Sequence, residues 1–147
     1  MTKKGEESNE LTEKPVKKKA VKKAAKKKAV KKSVDEKLVD AIVEGMQEKK
    51  AEGVTIINLR NIESRVCDYY VLCQANTGIQ VDAIAGSIEE IVKKKTKEIP
   101  YRTEGYQNAE WVLIDYISVV AHVFQADMRE HYNLESLWAD AEIKELD

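Results

Sequence analysis

Cysteine, histidine, proline and phenylalanine are close to missing from this chain: two, two, two and one in 147 residues. Cys67 and Cys73 stand six apart, which is neither C-x-x-C nor a disulfide framework, so both read as reduced thiols. Two histidines without paired cysteines do not make a structural zinc site. No G-x-x-x-x-G-K-[ST] and no G-x-G-x-x-G occurs, which removes the common phosphate-cradling loops. Neither metal nor cofactor is therefore expected. No stretch approaches the roughly 20 apolar residues of a membrane span. No charged start leads into an apolar block of the kind that marks a signal peptide. The expectation is a cytoplasmic protein with no membrane partner and no small-molecule substrate.

What is abundant is charge, and it is split. Residues 1–32 hold 13 Lys against 4 Glu, a formal +9, whereas residues 33–147 hold 12 Lys and Arg against 22 Asp and Glu, a formal −10. The overall −1 conceals both halves. "KKKAVKKAA" (17–25) runs into "KKKAVKKSV" (26–34), a nine-residue repeat. Such a segment buries too little apolar surface to offset its ordering entropy, so residues 1–32 are expected to be a disordered tail. Its lysines (Lys17, Lys18, Lys19, Lys22, Lys23, Lys26, Lys27, Lys28, Lys31 and Lys32) would meet nucleic-acid phosphates through counterion release, without sequence preference. The plainer alternative is a solubilising extension.

Residues 33–147 read as one folded domain. Ser33 and Glu36 form an S-x-x-E capping box. Leu38, Ile42, Gly45 and Met46 then fall on one stripe, which predicts a helix over 34–50. "VTIINL" (54–59) reads as a strand, and "DYYVLCQA" (68–75) as a central strand apolar on both faces. Thr77 and Gln80 open a second helix with Val81, Ile84, Ala85, Ile88 and Val92 buried. A short strand near 99–104 follows and would close a βαβ unit. Then comes a hairpin, and "DMREHY" and "NLESLW" form short helices. The fold class is a mixed α/β sheet of about five strands packed by helices.

The hairpin "AEWVLIDYISVVAHVF" (109–124) carries Asp115, Ser118 and His122, which invites a catalytic reading. Side chains alternate along a strand. A turn at Tyr116–Ile117 would put Trp111 opposite His122. It would also place Val112, Ile114, Val119, Ala121 and Val123 on an aliphatic core face. Trp111, Leu113, Asp115, Ser118, Val120, His122 and Phe124 would share the other face, which suits partner binding. Ser118 and His122 would lie on the order of 13 Å apart along the strand, far beyond nucleophile–base reach. No G-x-S-x-G elbow is present.

"DYYVLCQANTGIQVDAIAGSIEE", "EGYQNAEWVLIDYISVVAHVF" and "MREHYNLESLW" together resemble the ribosomal silencing factor family, also called RsfS, YbeB or Iojap. The resemblance spans about 34–140 and leaves out the lysine tail. It implies a nucleotidyltransferase-like topology without enzymatic activity. It implies a translational repressor that binds the large ribosomal subunit through its protein number fourteen and blocks subunit joining by occupying that face. Aid to large-subunit biogenesis and a homodimer in isolation are implied as well. The tryptophan of the family's W-x-L-x-D strand lies at the ribosomal-protein contact and maps onto Trp111. Leu113, Asp115, Val120 and His122 on the same face complete the partner-binding set. Where the family usually reads Arg-Gln-Val and Asp-Tyr-Gly-Asp, this chain has Ile79-Gln80-Val81 and Asp115-Tyr116-Ile117-Ser118.

Two other readings stand beside this one. A nucleotidyltransferase-like enzyme needs a Gly-Ser turn and clustered carboxylates, commonly D-x-D, to hold Mg²⁺ on phosphates. The chain has no D-x-D, and its single Gly-Ser, Gly86–Ser87, falls within the second predicted helix. A nucleic-acid-binding protein acting through its tail is the other, and removal of residues 1–32 separates it from the silencing-factor reading.

Overall fold

A computed structural model describes residues 32–146 of the chain. The lysine-rich segment up to Lys31 lies outside the described residues.

The element order is α1 (Val34–Glu48), β1 (Glu52–Asn58), β2 (Tyr69–Ala75), α2 (Gly78–Thr96), β3 (Arg102–Glu104), β4 (Trp111–Asp115), β5 (Val119–Gln125), α3 (Ala126–Tyr132), α4 (Leu134–Leu137) and β6 (Glu142–Leu146). The strands form one sheet in the order β3-β4-β5-β2-β1-β6. All neighbours are antiparallel except the central pair β2 and β5, which run parallel. The sheet thus has six strands rather than about five. The additional strand, β6, is short and mostly exposed, with only Ile143 and Leu146 as apolar positions, so its sequence carries little strand signal. It forms because β1 offers an unpaired row of N–H and C=O groups.

The capping box closes as its sequence dictates. Ser33 Oγ accepts from the Glu36 N–H at 3.1 Å, and Glu36 Oε1 accepts from the Ser33 N–H at 3.0 Å. A cap of this kind is worth about 1 kcal/mol. Helix α1 ends two residues earlier than periodicity suggests, because Lys50 takes a left-handed φ of 60°. Gly45 marks where α1 crosses α2: a Cβ there would sit 2.7 Å from the Ile88 Cα. The Ser87 hydroxyl donates to the Gly45 carbonyl at 2.9 Å across this crossing. Ser87 is therefore a buried helix–helix contact and forms no phosphate-binding turn.

The expected βαβ unit is corrected. Helix α2 carries the chain to β3 at the far edge, and the parallel neighbour of β2 is β5. The residues Arg102, Thr103 and Glu104 are all exposed and cannot fill a central slot, whereas six of the seven residues of β5 are buried.

The sheet separates two cores. On one side α1 and α2 cover Val71, Cys73, Val112, Ile114, Val119, Ala121 and Val123. On the other, α3, α4 and the loop after β1 lean on Ile57, Leu72, Val120 and Phe124, with Trp111, Leu113, Met128, Leu134 and Trp138 partly buried against them. Apart from Ser118, the two hairpin faces read from alternation are the two faces observed.

The hairpin register differs from the expected one. Trp111 pairs with Phe124 and Leu113 with His122, so the strands slide by two residues and the turn is Ile117–Ser118. Tyr116 explains the shift: its side chain is buried in the helix-side core, so it belongs to the strand end and not to the turn. Because the slide is even, the paired strand residues keep their faces; Ser118, now in the turn, is the exception, since its hydroxyl meets Asp35 of α1 on the opposite side.

Candidate docking face

Trp111 organises the second face. Its ring stacks on Phe124 with centroids 4.9 Å apart and meets Tyr132 of α3 at 4.7 Å. Its Nε1–H donates to His122 Nδ1 at 3.0 Å. Such rings contribute both burial and geometric preference, about 0.5–1.5 kcal/mol per pair beyond area. Helix α3 is held in place by Arg129, whose side chain is 11 % exposed. Its guanidinium donates to the Gly53 carbonyl (2.6 Å), Thr55 Oγ1 (3.0 Å) and Glu135 Oε2 (2.6 Å). Gly53 is free to offer that carbonyl because it sits in a bulge between β1 and β2 with a φ of 62°. The bulge, the arginine and Tyr132 therefore form one chain of support behind Trp111.

The five residues expected to bind a partner all lie on this face, at different depths. Trp111, Leu113 and Asp115 are half-buried, while Val120 and His122 are buried. Leu113, Asp115, Val120 and His122 line one groove of about 490 Å³. Cys67 and Tyr70 supply a wall, and Tyr70 meets His122 edge-on at 4.7 Å. Val66, Tyr101 and Ile117, all exposed, form the rim. Asp115 accepts from Arg102 Nε at 3.2 Å and from the Ile117 N–H at 2.7 Å. It is thereby tied into the turn.

Burial holds the His122 imidazole well below its ordinary range, at about 3, against a small opposing pull from Asp115. It is therefore neutral at neutral pH. Because Nδ1 accepts from Trp111, the ring proton belongs on Nε2, which has no hydrogen-bond partner. The Ser118 hydroxyl donates to Asp35 at 2.8 Å, so Ser118 and His122 are engaged elsewhere and do not meet. Burial pushes the Cys67 thiol up to about 12 and Cys73 likewise, so neither offers a thiolate at neutral pH. Among the described residues, no group of three or more His, Cys, Asp or Glu is placed to hold a metal ion. No described helix is long and apolar enough to cross a membrane.

Of the lysines read as a nucleic-acid contact, Lys17 to Lys31 lie outside the described residues, and Lys32 is exposed just before the Ser33 cap. Sequence reading missed Val66, Tyr70, Tyr101, Ile117 and Tyr132. Ile117 carried a signal, as a β-branched residue beside a tight turn. The others come from β2 (Tyr70), the loop after β1 (Val66), the residue before β3 (Tyr101) and the end of α3 (Tyr132), and tertiary packing brings them together.

Comparison with known proteins agrees with this architecture. The chain matches the family described as "Ribosomal silencing factor during starvation" over residues 30–147. It is 44% identical over 105 residues to the ribosomal silencing factor RsfS of Halalkalibacterium halodurans, covering 71% of this chain and 88% of that protein. It is 40% identical over 100 residues to RsfS of Bacillus subtilis, covering 68% and 83%. A crystal structure from Bacillus halodurans superposes with a TM-score of 0.64 at 39% identity, covering 76% of this chain and 99% of that one. With the W-x-L-x-D strand and the V-x-H-V-F strand paired side by side in one sheet and the match running through the whole folded part, the chain belongs to the ribosomal silencing factor family.

Proposed function

We propose that this chain represses translation without catalysis. It docks its Trp111 face on protein number fourteen of the large ribosomal subunit and sterically blocks joining of the small subunit. It acts in the cytoplasm, and the same contact aids large-subunit maturation. One observation carries the reading: the sheet face turned away from α1 and α2 bears a half-buried tryptophan set in an aromatic cluster and bordered by exposed apolar side chains. Aromatic anchors within an apolar patch are the usual composition of a protein contact. Charge supports a protein over bare RNA as the partner of this domain, since residues 33–147 carry a formal −10. A surface of that sign is drawn to a basic ribosomal protein and repelled by phosphates. Residues 1–32, at +9, add contact with ribosomal RNA.

The test is sedimentation of purified chain with ribosomal subunits. Co-migration with free large subunits and not with joined ribosomes is expected, together with a smaller joined fraction when both subunits are mixed in its presence. Migration with joined ribosomes, or with neither subunit, overturns the reading.

A further inference from the structure

Ile117 is the most conspicuous departure from local physical preference on the docking face. Its φ is 76°, in the left-handed region that a β-branched residue rarely enters. The Ser118 N–H donates to the Tyr116 carbonyl at 2.9 Å across it, which makes a tight three-residue turn. Glycine would adopt this backbone without steric cost. Nor does the side chain repay the strain within the chain, for Ile117 is 64% exposed. Two other exposed apolar side chains border the same groove, Val66 at 73% and Tyr101 at 71%. Backbone strain of this kind clusters at functional sites, ligand clamps among them.

The surroundings indicate the class of occupant. The arginines next to the rim residues already have carboxylate partners. Arg65, beside Val66, pairs with Asp68, and Arg102, beside Tyr101, pairs with Asp115 and Glu104. Neither is an open cation for a phosphate. The groove is walled by Val66, Cys67, Tyr70, Leu113, Val120 and the buried His122, and its two charged lining residues, Arg102 and Asp115, pair with each other. A peptide segment presenting an apolar side chain supplies burial for these walls. The −10 charge of residues 33–147 favours a segment from a basic protein.

We infer that Ile117, held outward by the strained turn, forms with Val66 and Tyr101 an apolar rim that grips a side chain from a basic protein partner. This rests on the reading of the Trp111 face as the docking face.

The test compares Ile117→Gly, Val66→Ser and Trp111→Ala in the full chain, measuring binding to purified large subunits and thermal melting. Ile117→Gly is expected to melt at the same or a higher temperature and to bind roughly tenfold more weakly, the effect of losing most of a buried isoleucine side chain. Val66→Ser should weaken binding in the same direction with an unchanged melt. If Ile117→Gly and Val66→Ser bind as wild type while Trp111→Ala is weakened, this inference falls and the docking-face reading stands. If all three bind as wild type, both fall. A lower melting temperature for Ile117→Gly would make the side chain a support of the fold and overturn the inference. So would an unchanged affinity for subunits combined with a shifted self-association equilibrium in sedimentation, which would assign the rim to a second copy of this chain.

Discussion

The indole Nε1–H of Trp111 donates to Nδ1 of His122 at 3.0 Å, tying the half-buried residue of the docking face to the buried one. The hydrogen bond crosses diagonally between β4 and β5, two residues off the direct register, since Leu113 is the residue opposite His122. It fixes the imidazole tautomer and orients the indole. Trp111→Phe keeps the stack on Phe124 but leaves Nδ1 without a donor. A buried acceptor so abandoned costs about 1–3 kcal/mol. Denaturant unfolding should show this loss, with large-subunit binding reduced further than the stability change explains. Equal stability of the two proteins would mean that the bond contributes nothing net.

His122 should also give the fold a pH dependence. Its folded value, near 3, lies below its unfolded value of about 6.5, so the unfolded chain binds the proton more readily between the two. Stability from this residue is fully present above about pH 6.5 and is lost as the pH falls toward 3, at up to about 1.4 kcal/mol per pH unit. Carboxylates also titrate in this range, so the relevant quantity is the difference between wild type and His122→Phe. Unfolding free energies at pH 7 and pH 5 should fall more steeply for the wild type. Parallel curves would contradict the assignment of a buried neutral imidazole.

Arg129 fastens α3 to the sheet through the Gly53 carbonyl, Thr55 and Glu135. Arg129→Ala leaves those acceptors unpaired and should cost about 3–5 kcal/mol, the range for breaking a largely buried charged network. Lysine cannot reproduce the forked geometry, so Arg129→Lys should recover little. Hydrogen exchange should show α3 and α4 losing protection before α1 and α2. Uniform loss across the domain would refute a local role.

Removing residues 1–32 should flatten the salt dependence of large-subunit binding while leaving the block of subunit joining at low salt largely intact. Phosphate contacts by lysines weaken steeply with salt, whereas apolar burial is not screened. A salt titration of full-length and truncated chains decides this. Identical slopes would return the tail to a solubilising role.

The sequence was most legible where one physical rule acts alone. Ser33 with Glu36 located the start of α1, and alternation assigned the paired residues of β4 and β5 to their faces, failing only at Ser118 in the turn. It was less legible where tertiary context decides. Nothing in "EIKEL" distinguishes a strand from a polar end; the open edge of β1 does. The hairpin register hung on whether Tyr116 turned or was buried, and only the packing of α1 and α2 answers that. The groove rim draws Val66, Tyr101 and Ile117 from three separate segments, so no local pattern could have assembled it.

The parallel pairing of β2 with β5 has a kinetic consequence. Tyr69–Ala75 must wait for Val119–Gln125, and Tyr69 pairs with Val119 fifty residues further on. Until that closure, one side of an almost wholly apolar segment has no neighbour, and the entropy of closing so long a loop is spent before its contacts reward it. Helices α1 and α2 can form from local signals before this, so assembly of the two central strands is expected to set the folding rate. Substitutions at their shared seam, such as Val71 or Ala121, should slow refolding, whereas changes in α3 should chiefly speed unfolding.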